Sequence, residues 1–443
     1  MRRTGFRIQD SGFRASASGR TGVRGETLPL IAHRSSFIVA LLASGFLLLA
    51  SAPAHADRLR ATGLETNNFT QTEWSATSGA GLSIQTGTVH SGTYAIRINQ
   101  TSSSSYGRLD YASQTSGSVF VRTYFYFATR PNVNVGLIQM SSGGSGNSIN
   151  YVNSGTTWSV GSVGGGSATG TTVLSTGRWY RLELRVLISD TVGEVEGRLY
   201  NDMESSPLET LSLTSQDTLP TNLTQLYIGA WSASNTSDFY IDDIIINNSA
   251  GVAPFNTWAG GTKFALLKPT SNSSVTWTRA GANCSGTTNA DCVDDEPGTP
   301  DDASGYATSS TANNEDRLNV ASLPSEIPSD ADMISLTVYD RWDGNGTTGT
   351  RQGRHLIWDE SGAQTNGPTH PRCDVAAGTW SIASSAQISA FNLGSRTKAN
   401  VESFDFGYEP LNSAECRVTA IWGNVEWKPA PAVTARQRRL IVW

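Results

Sequence analysis

Asp242 and Asp243 stand side by side in Phe239-Tyr240-Ile241-Asp242-Asp243-Ile244-Ile245-Ile246-Asn247, a run otherwise dominated by aromatic and β-branched residues. Such a run reads as a strand, and aspartate is depleted in strands. At a period of two, Asp242 shares a face with Tyr240, Ile244 and Ile246, and Asp243 shares the other with Ile241 and Ile245. One carboxylate therefore points towards an Ile-rich core, where it costs several kcal/mol unless paired, protonated or metal-bound. An oxygen-ligated Ca²⁺ is the simplest chemistry for such a pair on an exported β-protein.

A second set of residues alternates on other strand-like runs. From Phe120 to Phe127, Val121, Thr123, Phe125 and Phe127 fall on one face and leave Arg122, Tyr124 and Tyr126 on the other. The same alternation separates Gln139 from Ile138 and Met140, and groups Gln225, Tyr227 and Trp231 opposite Leu226 and Ile228. Together Arg122, Tyr124, Tyr126, Gln139, Tyr227 and Trp231 would make one face of rings, amides and a guanidinium. Sugar rings present apolar C–H faces that lie on Trp or Tyr, and their hydroxyls need planar amide and guanidinium partners in place of water. The expected partner is a polysaccharide or cell-surface glycan. A wet outer sheet face with cross-strand aromatic pairs is the plain alternative.

Catalytic patterns are scarce. A retaining glycosidase needs two carboxylates about 5 Å apart across the scissile bond. Glu194 and Glu196 share a face, but Arg198 and Tyr200 continue it, and Glu183 between Arg181 and Arg185 reads as an exposed cross-strand charge ladder. There is no G-x-S-x-G, H-E-x-x-H, P-loop or dinucleotide fingerprint.

The 443 residues, 16% charged and with 44 glycines, suit two β-domains of short strands and many turns. Phe37 to Ala50 is an apolar run too short to span a bilayer comfortably, preceded by Arg34 and followed by Ala54-His55-Ala56. It reads as a leader ending at Ala56, with an unusually long stretch before it. Residues 1–56 hold seven arginines and two acids; without them 25 basic and 36 acidic residues remain, a net charge of −11. That balance argues against nucleic acid or an anionic membrane as partner, since both need a basic footprint. A secreted, extracellular or cell-surface location is expected, with the periplasm as alternative. Cys284, Cys292, Cys373 and Cys416 read as two structural disulfides; of three connectivities, Cys284 with Cys292 and Cys373 with Cys416 is favoured.

Residues 57–250 alternate strand-like runs with Gly/Ser/Thr/Asn turns and show no sustained 3.6 period, the pattern of a two-sheet sandwich or jelly roll. Four segments carry a resemblance: Gly63-Leu64-Glu65-Thr66-Asn67-Asn68-Phe69 with Trp74; His90-Ser91-Gly92-Thr93-Tyr94-Ala95-Ile96-Arg97; Gly177-Arg178-Trp179-Tyr180-Arg181-Leu182-Glu183; and Tyr240-Ile241-Asp242-Asp243-Ile244. In order and spacing they resemble the concanavalin A-like (laminin G-like) jelly rolls of bacterial carbohydrate-binding modules and polysaccharide lyases, over about 64–248. The resemblance implies sugar binding on a concave sheet. It also implies a structural Ca²⁺ held by an early Glu and a late Asp, matched here by Glu65 with Asp242 or Asp243. For the alginate lyase type it implies an Arg such as Arg122 and a Gln before a catalytic His. Here Gln139 is followed by Met140 and Ser141, so that His is missing, although Tyr124 or Tyr126 could act as base beside Arg122.

Ala250 to Trp258 is a junction, and residues 251–427 read as a second all-β domain. Near its start, Asp291 to Asp302 places six acids in twelve residues and reads as a solvated loop. Its stretch Val293-Asp294-Asp295-Glu296, Asp301-Asp302, Gly305-Tyr306, Asp316-Arg317 loosely resembles a module of phage tail-fibre-like and bacterial surface proteins, which implies no activity. Residues 428–443 read as a flexible tail. The expectation is an all-β chain, a jelly-roll sandwich followed by a second, disulfide-stapled β-sandwich, that binds polysaccharide without catalysis. A polysaccharide lyase or glycosidase on the same sheet is one alternative, and a structural adhesin or tail-fibre-like surface protein another.

Overall fold

A computed structural model describes residues 58–69, 74–101, 103–218, 222–232, 235–284, 288–344, 351–367, 380–382 and 389–430. The leader, Cys373 and the last thirteen residues lie outside them.

Among the described residues fifteen strands precede residue 250: β1 (Arg58–Thr62), β2 (Ala76–Ser78), β3 (Leu82–Gln85), β4 (Ala95–Gln100), β5 (Ser105–Gln114), β6 (Ser118–Thr129), β7 (Val135–Ser141), β8 (Asn147–Val152), β9 (Thr157–Gly161), β10 (Ser167–Thr169), β11 (Trp179–Leu187), β12 (Gly193–Asn201), β13 (Glu209–Gln216), β14 (Leu223–Trp231) and β15 (Ser237–Asn248). An eight-stranded sheet has the order β13-β12-β11-β6-β15-β4-β3, with β1 added on β15; a seven-stranded sheet has the order β10-β9-β8-β7-β14-β5-β2. The alternation read from the sequence explains why they stack. Val121, Phe125 and Leu182 from the first sheet and Leu109, Ile138, Trp158 and Ile228 from the second are buried in one core.

The second half repeats the architecture with a seven-stranded and a five-stranded sheet. Its centre is the long antiparallel pair Asp332–Gly344 and Cys416–Lys428, whose Leu336, Val338 and Val418 pack with Ile357, Phe406 and Tyr408. The chain is thus all-β, two sandwiches in sequence. The Cys284–Cys292 disulfide is formed; Cys373, the expected partner of Cys416, lies outside the described residues.

The sandwiches meet along β1 and β15. Ala61 and Ile245 bury against Phe264, and Tyr339 Oη donates to the Ala61 carbonyl at 2.9 Å. Arg58 pairs with the buried carboxylate of Glu426. Glu426 also accepts from Ser335 Oγ and Thr262 Oγ1, both at 2.7 Å. Burial pushes Glu426 up, but the Arg58 guanidinium against it holds it below the usual carboxylate range.

Two local expectations need correction. The acidic stretch is not simply solvated: Cys292 and Val293 are buried, and Asp294 forms a β-bridge with Ala420, because the loop lies against the second sandwich. The charge ladder is half right. Arg185 pairs with Glu194 and Glu196 at a part-exposed surface, whereas Arg181 and Glu183 are 2% and 1% exposed, with the amide of Gly260 donating to Glu183 Oε1 at 3.1 Å.

Candidate functional site

The aspartate pair sits on a β-bulge. Against β6, the register jumps between Asp242 and Ile245, and Asp243 has φ +49°, a left-handed conformation aspartate tolerates better than most residues. The bulge changes the phase of the strand. Phe239 and Ile241 face the core before it, Ile244 and Ile246 after it, while Ile245 turns to the second sandwich. The two aspartates therefore do not divide between the faces as strict alternation predicts. Both engage the turn before β4: the amides of His90 and Ser91 donate to Asp242 Oδ2 at 2.8 and 3.3 Å, and Ser91 Oγ donates to Asp243 Oδ1 at 2.6 Å. Glu65 joins from the other side, accepting from the Thr93 amide at 3.0 Å. A side chain on Gly92, which has φ +64°, would collide with its carboxylate.

This is a dense acid cluster. All three carboxylates are buried, and burial together with the like charges of Asp243 and Glu65 pushes Asp242 well above the usual carboxylate range. The His90 ring lies between Asp243 (2.5 Å from Nδ1) and Asp202 (2.7 Å from Nε2), and stacks on Tyr124 at 3.7 Å. Among the described residues, no three His, Cys, Asp or Glu side chains are arranged to hold a metal ion by themselves.

The six expected ligand residues do not form one face. Arg122, Tyr124 and Tyr126 lie on β6 in the eight-stranded sheet, Gln139, Tyr227 and Trp231 on β7 and β14 in the other. Alternation gave the orientation along each strand but not which strands pair. Arg122 is buried, donating to Thr262 O at 2.8 Å and Thr262 Oγ1 at 2.6 Å, so it ties the sandwiches together rather than facing solvent. Tyr124 is also buried, its hydroxyl on Met203 Sδ at 3.0 Å. Burial pushes its phenol up. Tyr126 remains part-exposed beside Trp179 and Tyr240.

Gln139, Tyr227 and Trp231 do converge. Tyr227 is opposite Gln139 and Trp231 opposite Gly136 in the β14–β7 register. With Tyr106, Gly143 and Gly144 they line a surface pocket of about 220 Å³. The three rings are all part-exposed and mutually steep: Tyr106 lies 5.6 Å from Tyr227 and 6.4 Å from Trp231, with interplanar angles of 65° and 83°. Gln139 Nε2 donates to the Gly144 carbonyl at 2.5 Å and Tyr227 Oη to Gln225 Oε1 at 2.9 Å, which fixes an amide and a phenol at the rim. Arg108 and Asp110 on β5 close on each other, Nε to Oδ1 at 2.9 Å. Tyr106 was missed in the sequence, although Tyr106, Arg108 and Asp110 alternate there with Gly107, Leu109 and Tyr111.

No protein-family model matches the chain, and no curated protein does. Solved structures do. A sialidase from Trypanosoma rangeli is 12% identical over 38% of this chain and 30% of its own, at a TM-score of 0.26. Domain 4 of AbnA, an extracellular GH43 arabinanase from Geobacillus stearothermophilus solved with arabinotriose, is 13% identical over 43% of this chain and 92% of its own, at 0.28. The CBM22-1–CBM22-2 tandem from Paenibacillus barcinonensis Xyn10C is 7% identical over 85% of this chain and 99% of its own, at 0.22. This chain therefore spans under a third of the sialidase's length. With TM-scores below 0.3 they carry no argument about this chain, and the site stands on its own residues. No helix among the described residues is long and apolar enough to cross a membrane.

Proposed function

We propose that the chain is an exported glycan-binding protein whose contact face is the outer side of the seven-stranded sheet, centred on Tyr106, Gln139, Tyr227 and Trp231. The observation that carries the reading is the convergence of three part-exposed rings and a rim amide on one open pocket. Rings supply the stacking surface a sugar's C–H face needs, and a fixed amide supplies the hydroxyl partner. Binding requires nothing more, and the role proposed for this face is binding alone. Incubation with neutral and acidic polysaccharides tests it: retention without new reducing ends or unsaturated products is expected, and turnover would replace binding by catalysis.

We further propose that Glu65, Asp242 and Asp243 hold a structural Ca²⁺. What supports the reading is the chemistry of the donors, hard and buried oxygens with like charges crowded around Asp242, not a ready-made arrangement around one point. With no closed set of three side chains among the described residues, backbone carbonyls or water would complete the shell. The ion would neutralise the cluster and join the start of the first sandwich to its last strand.

A further inference from the structure

Beyond the pocket, the same sheet face continues as two cross-strand rows. One row runs from Trp231 over Gly136 to Asn150, Ser159 and Thr169, each opposite the next in register. The other runs from Tyr227 to Gln139, Ser148, Gly161 and Ser167. Their orientation is settled by what alternates with them: Ile149, Tyr151, Trp158 and Val160 fill the core, so their neighbours point outward, Ser148 and Asn150 part-exposed, Ser167 and Thr169 exposed, and Ser159 only 8% exposed among them. Asn150 Nδ2 donates to Ser148 Oγ at 3.1 Å and links the rows. The five strands β14, β7, β8, β9 and β10 are separated by four gaps, so the rows extend for about 19 Å.

Rings stand only at the β14 end, and hydroxyls, amides and glycines make up the rest. Neither row contains a charged residue. The nearest guanidinium, Arg108 opposite Tyr227, is already neutralised by Asp110. A uronate or sulfate laid along such a surface would lose water and gain no cation in exchange.

Resting on the glycan reading above, we infer that the ligand is an uncharged polysaccharide bound along its chain, across the strands, with one sugar on the Trp231 and Tyr227 rings and the following ones over Gln139, Asn150 and Ser159. The pocket alone would take a single ring; the rows make affinity depend on chain length.

Affinity electrophoresis of the full chain against cellulose ether, xylan, mannan and β-1,3-glucan, with alginate and polygalacturonate beside them, tests the class. Retardation by at least one neutral polymer and by neither acidic one is expected. Calorimetry with oligosaccharides of the retarding polymer should show affinity rising at least tenfold from the dimer to the tetramer. Asn150→Ala with Ser159→Ala should remove most of that gain while leaving dimer affinity unchanged, which a misfolded variant could not do. Salt-sensitive retardation by the acidic polymers alone, or equal affinity for dimer and tetramer, would overturn the inference while leaving glycan binding intact. Retardation by no polymer would instead remove the glycan reading itself, and this inference with it.

Discussion

The indole of Trp231 lies directly over the α-carbon of Gly136 on the neighbouring strand, where a built Cβ would fall inside the ring's van der Waals contact. The glycine therefore seats the indole of the proposed site, although it offers no functional group. Gly136→Ala should tilt the indole off the sheet and lower glycan affinity nearly as far as Trp231→Ala. A loss on the order of 2 kcal/mol, about 30-fold, is the expected size for a central aromatic anchor. Titration of both variants checks it, with circular dichroism to show an intact sheet; a Gly136→Ala protein that binds as the parent does would separate the glycine from the site.

Chelation should act on the acid cluster. EDTA is expected to lower the melting temperature of the parent chain and to leave Asp242→Asn/Asp243→Asn unaffected. Scanning calorimetry with and without Ca²⁺ gives the answer, and a parent chain insensitive to both would leave the clasp to its amide hydrogen bonds alone.

Glu426 ties the two sandwiches through Arg58, Ser335 and Thr262. Glu426→Ala strands a buried guanidinium, and a loss of about 3–5 kcal/mol in denaturant unfolding is expected. Because the folded carboxyl is held below its usual range, its stabilisation is present above the unfolded pKa of about 4.3 and disappears as pH falls through the lower folded value. Parent and variant should therefore converge in strong acid; an unchanged gap there would show that the charge is not what matters.

Asp295 makes the opposite prediction. Burial pushes it up to about 6, against the pull of the Asp301 amide. The fold then prefers the protonated form, so stability falls as pH rises from about 4 to 6 and stays lowered above. Asp295→Asn should raise stability at neutral pH, by on the order of 1 kcal/mol once solvent screening is allowed for, and bring no gain near pH 4. Thermal melts across that range decide it.

Much of this was legible from residue types. Alternation gave the inward faces of β6 and β14 correctly, and the crowding of acids in a β-branched run marked Asp242 and Asp243 as special. What alternation cannot carry is pairing between strands far apart in sequence. It could not place β6 and β14 in different sheets, nor show that the second sandwich buries Arg122. The bulge was equally invisible, because one left-handed residue reverses the phase of every side chain after it. Tyr106 was within reach, since its own strand alternates plainly once Gly107 is read as the inward position.

On the proposed reading glycan is held on the seven-stranded sheet of the first sandwich and not on its eight-stranded one, where Tyr126 also remains part-exposed. Affinity electrophoresis of the parent, Trp231→Ala and Tyr126→Ala proteins on a retarding polysaccharide is the most direct measurement. Retardation lost in Trp231→Ala and kept in Tyr126→Ala is predicted; loss in Tyr126→Ala with full retention in Trp231→Ala would contradict the account.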